Sequence, residues 1–108
     1  MQVGNAADAL IRRGRQITGS FPPTVGSAEV LYRTSSVTGR VTHYQIYDLL
    51  GLPVKRVYIT GSSHGGVPTP HVLEFVHNTN PRTGQVFVNT PLGGLPRPAT
   101  QDEVPLVL

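Results

Sequence analysis

The sequence predicts an α+β fold in which an N-terminal helix packs on an antiparallel sheet of about four to five strands. Two observations favour this class: the 108 residues fit one domain, and 12 Gly and 10 Pro interrupt a chain that is 38% hydrophobic. Gly and Pro are poor helix formers, so most of the chain is expected to form short strands joined by turns. One stretch near the N-terminus has the apolar spacing of a helix.

The predicted helix begins at Asn5, a residue type that suits an N-cap. Asp8 lies three residues later, near the positive end of the helix dipole, where a carboxylate is favoured. Leu10 and Ile11 belong to one apolar stripe at helical spacing. Two consecutive prolines at positions 22 and 23 prevent any continuation of the helix.

Five segments rich in Val, Ile and Tyr are expected to form the sheet. They span residues 29–34, 40–47, 54–60, 71–77 and 85–89. Thr38-Gly39 and Thr83-Gly84 precede two of these segments, which suits hairpin turns with glycine at positive φ. Residues 48–53 predict a further reversal, and residues 98–103 predict a last helical turn.

Composition limits the domain organisation and the partners. We expect one domain over residues 1–108, with a helical segment and linker over 1–26, the sheet over 27–90 and a Pro- and Gly-rich tail over 91–108. The formal net charge of +3 favours a polyanionic partner, nucleic acid first. The absence of cysteine excludes a disulfide framework, and no apolar run reaches the roughly 20 residues of a membrane span. Neither a cofactor nor a membrane partner is expected.

The stretch over residues 55–74 has the residue types for nucleic-acid chemistry. A Gly-rich loop carries His64, and a Pro-Thr-Pro segment delivers His71 to the start of the next strand. Cleavage of RNA without a metal needs a base for the ribose 2′-OH, an acid for the leaving 5′-oxygen and cations for the phosphate. We therefore predict His64, His71 and Arg56 as catalytic residues, and Lys55, Thr69, Arg33 and His43 as substrate-binding residues.

Structural roles compete with these functional ones. His64 also fits an exposed loop residue, and His71 also fits a residue that simply hydrogen-bonds the loop backbone. A metal site would need His64, His71, Glu74 and His77 together. In an extended strand Glu74 points away from the face shared by His71 and His77, which disfavours such a site. Glu74 would then pair with Lys55 or Arg56 across the sheet, the ordinary structural role.

The same stretch resembles the polymorphic toxin type 24 family over about residues 32–103. The specific motif is the run His-Gly-Gly-Val-Pro-Thr-Pro-His at 64–71, and the segments at 38–41, 44–48, 53–57 and 97–100 support it. The resemblance implies a toxin module at the C-terminus of a larger secreted protein, which acts in a competitor's cytoplasm and is neutralised by an immunity protein. It also implies ribonuclease activity. The helix-then-sheet order is similar to the fold shared by barnase and colicin ribonucleases.

One departure from the family and two competing functions remain open. The resemblance implies an acidic residue where this chain has Tyr58, so a catalytic role of that acid would leave this chain weakened or inactive. A metal-dependent DNase and a non-catalytic nucleic-acid-binding module are the alternatives to a metal-independent ribonuclease. The immunity protein is expected to be acidic, since the chain is basic, and the toxin is expected to be a monomer apart from this inhibitor.

Overall fold

The computed structural model describes residues 4–90 and 94–108 and has a mixed α+β fold. Residues 91–93, where the predicted tail begins, lie outside the described residues. A helix, α1 (Ala6–Arg12), comes first, and a 3₁₀ turn (Gln101–Glu103) lies near the C-terminus. The strands are β1 (Arg15–Gln16), β2 (Val30–Thr34), β3 (Val41–Tyr47), β4 (Pro53–Tyr58), β5 (His71–Glu74), β6 (Val76–Thr79), β7 (Val86–Asn89) and β8 (Arg97–Pro98).

Helix α1 begins where the sequence predicts, because Asn5 and Asp8 form a reciprocal cap. The Asn5 side chain accepts a hydrogen bond from the Asp8 backbone N–H at 3.1 Å, and the Asp8 carboxylate accepts one from the Asn5 N–H at 2.9 Å. Ala7 and Ile11 lie on the buried face of the helix. Over residues 4–90 and 94–108, no helix has the length and apolarity to cross a membrane.

The main sheet is mostly antiparallel, as predicted, but among the described residues it has six strands instead of about four to five. Within the described residues its strand order is β1-β2-β3-β4-β5-β8, and β1 with β2 is the parallel pair among antiparallel neighbours. The predicted segments 29–34, 40–47 and 54–60 correspond to β2, β3 and β4. The short strands β1 and β8 extend the sheet beyond the predicted 27–90 segment on both sides. Gly39 and Gly84 take φ values of 74° and 72°, as predicted for the two Thr-Gly turns.

The prediction of one continuous strand over residues 71–77 is wrong. The chain divides at Phe75 into β5, which belongs to the main sheet, and β6, which pairs with β7 in a separate two-stranded sheet. The Phe75 N–H still donates to the Val54 carbonyl at 2.9 Å. The paired positions of β4 and β5 run from Tyr58 and His71 to Lys55 and Glu74, so the ladder of the main sheet ends beside Phe75.

The core lies between α1 and one face of the main sheet. Tyr44, Val57 and Val72 are aligned across β3, β4 and β5, and with Ala7 and Ile11 of the helix they are all at most 3% exposed. Because side chains alternate along a strand, the adjacent residues of each strand point to the opposite face. That second face therefore receives the polar side chains at the neighbouring register positions.

The C-terminal end is fastened to α1 by a buried carboxylate. Asp8 accepts hydrogen bonds from the backbone N–H groups of Leu106, Val107 and Leu108 at 2.9–3.0 Å. Burial raises the pKa of Asp8, but hydrogen bonds from four backbone N–H groups, that of Asn5 included, outweigh it and hold the pKa below its ordinary value. The end of the predicted tail is therefore part of the packed fold.

A second polar cluster joins the 3₁₀ turn to β4 and β8. The 3₁₀ turn itself confirms the helical turn predicted over residues 98–103. The buried Glu103 carboxylate accepts two hydrogen bonds from the Arg97 guanidinium at 2.8 Å and one from the Lys55 ammonium at 2.7 Å. The bonds from Arg97, with smaller contributions from Lys55 and the Thr100 N–H, hold the pKa of Glu103 far below its ordinary range despite its burial. The Tyr44 hydroxyl donates to the Glu103 carbonyl at 2.6 Å.

Candidate functional site

Four side chains from four adjacent strands line up on the face of the sheet that is turned away from α1. Arg33 of β2 pairs in register with His43 of β3, His43 with Tyr58 of β4, and Tyr58 with His71 of β5. The rings of His43 and Tyr58 are stacked with their centres 5.8 Å apart, and those of Tyr58 and His71 are 5.0 Å apart. We call these four residues, together with His64, the histidine row.

His64 joins the row because its loop folds back in a tight turn. The His64 and Val67 backbones exchange two hydrogen bonds of 3.0 Å. The two residues between them, Gly65 and Gly66, have φ values of 57° and 81°, which side chains with a Cβ rarely adopt and which a type I′ turn requires at both central positions. The turn places the His64 ring centre 6.4 Å from that of His71.

His71 combines a structural contact with a possible chemical one. The residue is only 2% exposed, and its Nδ1 lies 3.1 Å from the Val67 carbonyl. A carbonyl oxygen only accepts, so Nδ1 carries a proton and donates it. This bond holds the loop, as the structural interpretation of His71 predicted, and it leaves Nε2 without a hydrogen-bonding partner among the described residues. Thr69 supports the same loop by donating its hydroxyl hydrogen to the Gly61 carbonyl at 3.2 Å.

His43 is kept neutral by its surroundings. Its Nε2 is 3.5 Å from an Arg33 nitrogen and its Nδ1 is 2.7 Å from the Thr42 hydroxyl. Arginine only donates, so the proton of the neutral ring lies on Nδ1. Partial burial, followed by the positive charges of Arg33 and Arg56, lowers the pKa of His43 below its ordinary value. A neutral imidazole therefore sits between two cations.

Arg56 is oriented toward the row by neighbours on the same face. Its Nε donates to the Gln45 side-chain carbonyl, and its Nη1 donates to the Tyr58 hydroxyl at 3.0 Å. The guanidinium carbon also lies 5.0 Å from the centre of the Phe21 ring, within cation–π distance. Arginine has five N–H donors, so this arrangement leaves donors for an anion.

An apolar cleft of about 400 Å³ opens beside Arg56, between the segment over residues 21–24 and the β6–β7 hairpin. Phe21, Phe75 and Val88 form its walls, with Gln45 and Arg56 also in the lining. A larger hollow of about 660 Å³ lies next to the 3₁₀ turn, and neither the row residues nor Arg56 line it. The smaller cleft adjoins the candidate site through Arg56.

The family model described as Bacterial toxin 24 matches residues 10–105, which include every residue of the row. The chain belongs to this family. This confirms the resemblance stated from the 64–71 motif, and it makes the chain a bacterial toxin domain. No curated protein and no solved structure matches the chain, so a similarity to the barnase and colicin ribonuclease fold stays a prediction.

The toxin domain brings together most of the residues predicted for the site. His64, His71, Arg56, Arg33 and His43 lie on one face, and the Thr69 side chain belongs to the loop that carries His64. Lys55 is the exception, because its neighbour Arg56 takes the position that faces the row. The Lys55 ammonium is instead bound to Glu103 on the other side of the sheet.

Two aromatic residues of the candidate site, Tyr58 of the row and Phe21 beside it, were missing from the predicted set. Tyr58 touches His43, His71 and Arg56, although the family resemblance marked it only as a departure. Its position two residues after Arg56 on one strand was the signal that placed both on the same face. Phe21 gave no such signal, because it follows the helix in an irregular segment and reaches the row only through tertiary packing.

The predicted partner of Glu74 was wrong. Glu74 faces Lys55 in register, but its carboxylate accepts from the Arg97 Nε at 2.8 Å, because β8 places Arg97 beside it. The four residues considered for a metal do not form one cluster. His77 lies on β6, where its Nε2 donates to the Pro53 carbonyl at 2.7 Å. Over the part of the chain that the structure describes, no three His, Asp or Glu side chains are grouped as metal ligands would be.

Proposed function

We propose that this toxin domain is a metal-independent endoribonuclease. The observation that carries the proposal is the pair of imidazoles, His64 and His71, whose centres are 6.4 Å apart on a face that also presents Arg56. Charged hydrogen bonds to phosphate oxygens are about 2.7–2.9 Å long, so two rings at this separation can contact one phosphate from two sides. An imidazole can serve as a general base or as a general acid, so one ring can take each role.

The reaction is an internal transfer of the phosphoryl group. One histidine removes the proton from the ribose 2′-OH, and the 2′-oxygen forms a bond to the adjacent phosphorus. The bond from phosphorus to the 5′-oxygen of the next nucleotide breaks, and the second histidine donates the proton that this oxygen needs. The products are a 2′,3′-cyclic phosphate and a 5′-hydroxyl. General acid–base groups typically contribute about 10²- to 10⁴-fold to such a rate.

Arg56 and the Arg33 of the row would stabilise the charge that develops on the phosphate. Arg56 is held by Gln45 and Tyr58, so its remaining donors are already oriented when the substrate arrives. Arg33 and the neutral His43 extend the row toward the ribose and the neighbouring phosphate, as substrate-binding groups. Thr69 would add a hydroxyl from the loop. Lys55 has no part in this scheme, because it is bound to Glu103.

The direct test incubates the purified domain with total RNA and with plasmid DNA, each with and without excess chelator. We expect RNA cleavage that persists in chelator and leaves 2′,3′-cyclic phosphate ends. Cleavage that needs a divalent cation, or that is confined to DNA, would favour the metal-dependent DNase. Salt-sensitive RNA binding without turnover would favour the non-catalytic binding module.

We also propose that the toxin is delivered into the cytoplasm of competing bacteria and that an acidic immunity protein protects the producing cell. Arg33 and Arg56 give the row a positive field that an acidic surface over the 61–70 loop would complement. Association of such a partner should slow as salt is added. An association rate that does not depend on ionic strength would rule out an electrostatically guided, acidic partner.

A further inference from the structure

The cleft beside Arg56 has the lining of a site for a flat aromatic ligand. The Phe21 and Phe75 rings and the side chains of Val86 and Val88 belong to its lining. The volume of about 400 Å³ falls within the range of roughly 300–1,000 Å³ that is usual for small-ligand sites. Such walls bind a ligand through the faces of rings.

Arg56 connects this cleft to the histidine row. Its guanidinium carbon lies 5.0 Å from the Phe21 ring centre and 5.9 Å from the Phe75 ring centre, on the cleft side. On the row side the same guanidinium donates to the Tyr58 hydroxyl. A ligand that combines an anionic group with a flat aromatic ring can therefore contact Arg56 with the first and enter the cleft with the second.

We propose that the cleft is a base-binding subsite, which takes one unpaired nucleobase of a single-stranded nucleic acid by stacking on Phe21 and Phe75. The proposal rests on the proposed function, since the phosphate of the bound nucleotide is the one held at Arg56. A base that is paired in a duplex is covered on both faces by its neighbours and does not enter. The subsite therefore directs the toxin to unpaired segments.

The lining also sets how selective the subsite is among the four bases. Both ends of the Gln45 amide are occupied, since its oxygen accepts from Arg56 and its nitrogen donates to the Tyr47 hydroxyl at 2.9 Å. Besides Gln45 and Arg56, which binds the phosphate in this scheme, Thr24 is the polar side chain among the described lining residues, and it is exposed. Stacking therefore dominates over reading of the base edge, and the subsite accepts all four bases.

The chain contains no tryptophan, so Phe21→Trp introduces a single fluorescent reporter into the cleft. The variant is combined with His71→Asn to prevent cleavage, and it is titrated with ten-nucleotide single-stranded RNAs and with a duplex of equal length. We expect quenching by the single strands and little by the duplex. An adenine homopolymer and a uracil homopolymer should both quench. Equal quenching by the duplex, or none by either strand, would overturn the subsite.

Leucine variants test the stacking contribution. Phe21→Leu and Phe75→Leu, each in the His71→Asn background, should weaken single-strand affinity by about tenfold, the order expected when a stacked base loses its aromatic partner. Phe87→Leu is the matched control, because Phe87 is 45% exposed on β7 and is absent from the cleft lining. Melting curves show whether each variant folds, and Phe21→Trp covers the case in which Phe21→Leu does not.

The outcomes separate this proposal from the proposed function. Phe21→Leu and Phe75→Leu are also made with His71 intact. Cleavage of RNA at wild-type rates by these two variants, with unchanged affinity in the His71→Asn background, would overturn the subsite and leave the ribonuclease intact. Absence of turnover in the wild-type domain, with stacking retained, would overturn the ribonuclease and leave the subsite. Loss of binding to a protein inhibitor, with RNA affinity unchanged, would make the cleft a protein interface and would also overturn the subsite.

Discussion

At the scale of single residues, His71 has two roles that one substitution does not separate. Its Nδ1 holds the loop at the Val67 carbonyl, and its side chain is almost completely buried. Replacement by alanine removes that bond and leaves a cavity, so a loss of activity in His71→Ala reports on both roles. Asparagine keeps a donor near the position of Nδ1 and removes Nε2.

We therefore expect His71→Asn to lose about 10²-fold or more in kcat/KM, the usual scale for an acid or base, with a small change in melting temperature. His64→Ala should lose activity on a similar scale, and the exposed turn residue Arg82→Lys should lose none. The measurements are initial rates on a short RNA and a thermal melt for each variant. Full activity in both histidine variants would end the two-histidine mechanism.

His43 provides a test at the same scale that does not depend on activity. Burial first, and then Arg33 and Arg56, lower the pKa of His43, so more than half of the rings are neutral at pH 6.5, the ordinary pKa of histidine. An NMR titration should give a midpoint below 6.5, and Arg33→Gln should raise it by removing one positive charge. Arg15→Gln, whose arginine pairs with Glu29 at the sheet edge, is the control. A midpoint that falls or stays constant in Arg33→Gln would contradict the assigned neighbours.

At the scale of elements, the helix and the C-terminal segment depend on one carboxylate. Removing the Asp8 carboxylate leaves the N–H groups of Leu106, Val107 and Leu108 without their acceptor, and burial prevents easy replacement by water. The capping box at Asn5 is lost at the same time. The two ends of the chain are thus stabilised together.

Asp8→Ala should destabilise the domain by roughly 3 kcal/mol or more, because several buried donors lose a charged acceptor. In a chain lacking residues 106–108, the same substitution should cost much less, since most of those donors are gone. Chemical denaturation of the four proteins gives the coupling free energy. Additive effects of the substitution and the truncation would show that Asp8 acts only as a helix cap.

At the scale of the whole molecule, the two faces of the main sheet carry different groups of residues. The face toward α1 carries the apolar core and the cluster around Glu103, whereas the opposite face carries the histidine row and the cleft. Arg97 and Lys55 keep Glu103 ionised well below the ordinary pKa of 4.5. The stability that this ionised cluster provides is complete above the unfolded pKa near 4.5 and is lost as the pH falls toward the lower folded pKa.

Wild-type protein should therefore melt at a lower temperature as the pH is reduced from 7 to 3. Glu103→Gln should lower the free energy of unfolding at pH 7 by a little more than about 1 kcal/mol. This corresponds to a melting temperature roughly 5–10 °C below that of wild type, since about 1 kcal/mol corresponds to 4–8 °C in a domain near this size. The difference in melting temperature between variant and wild type should narrow at pH 3. Glu74→Gln is the control, because the Glu74 side chain is 49% exposed. A difference that is the same at both pH values would show that the charge of Glu103 does not stabilise the fold.

Toxicity is the property of the intact molecule that the family membership and the row predict together. Expression of the wild-type domain in bacteria without an immunity protein should arrest growth, and expression of His71→Asn at the same level should not. The readouts are growth curves and the amount of soluble protein. Normal growth with abundant folded wild-type protein would count against the activity, and Tyr58→Glu would then test whether the tyrosine is responsible.

The sequence by itself determined the local elements and the loop that carries the two histidines. The Asn5 cap, β2 to β4 and the Gly-rich turn depend on the conformational preferences of neighbouring residues, which the chain displays directly. The family also follows from a local motif, the run over residues 64–71. Strand alternation also puts Arg56 and its neighbour Lys55 on opposite faces, although the predicted site contained both residues.

Tertiary structure alone decided which partners these residues meet. Lys55 and Glu74 face each other in register, yet each forms its ion pair with a residue of the C-terminal segment. Lys55 pairs with Glu103, and Glu74 pairs with Arg97. Phe21 reaches Arg56 and His43 from a segment without regular structure. Such contacts join residues far apart in sequence, and their geometry depends on how every strand is paired, so no local preference encodes them.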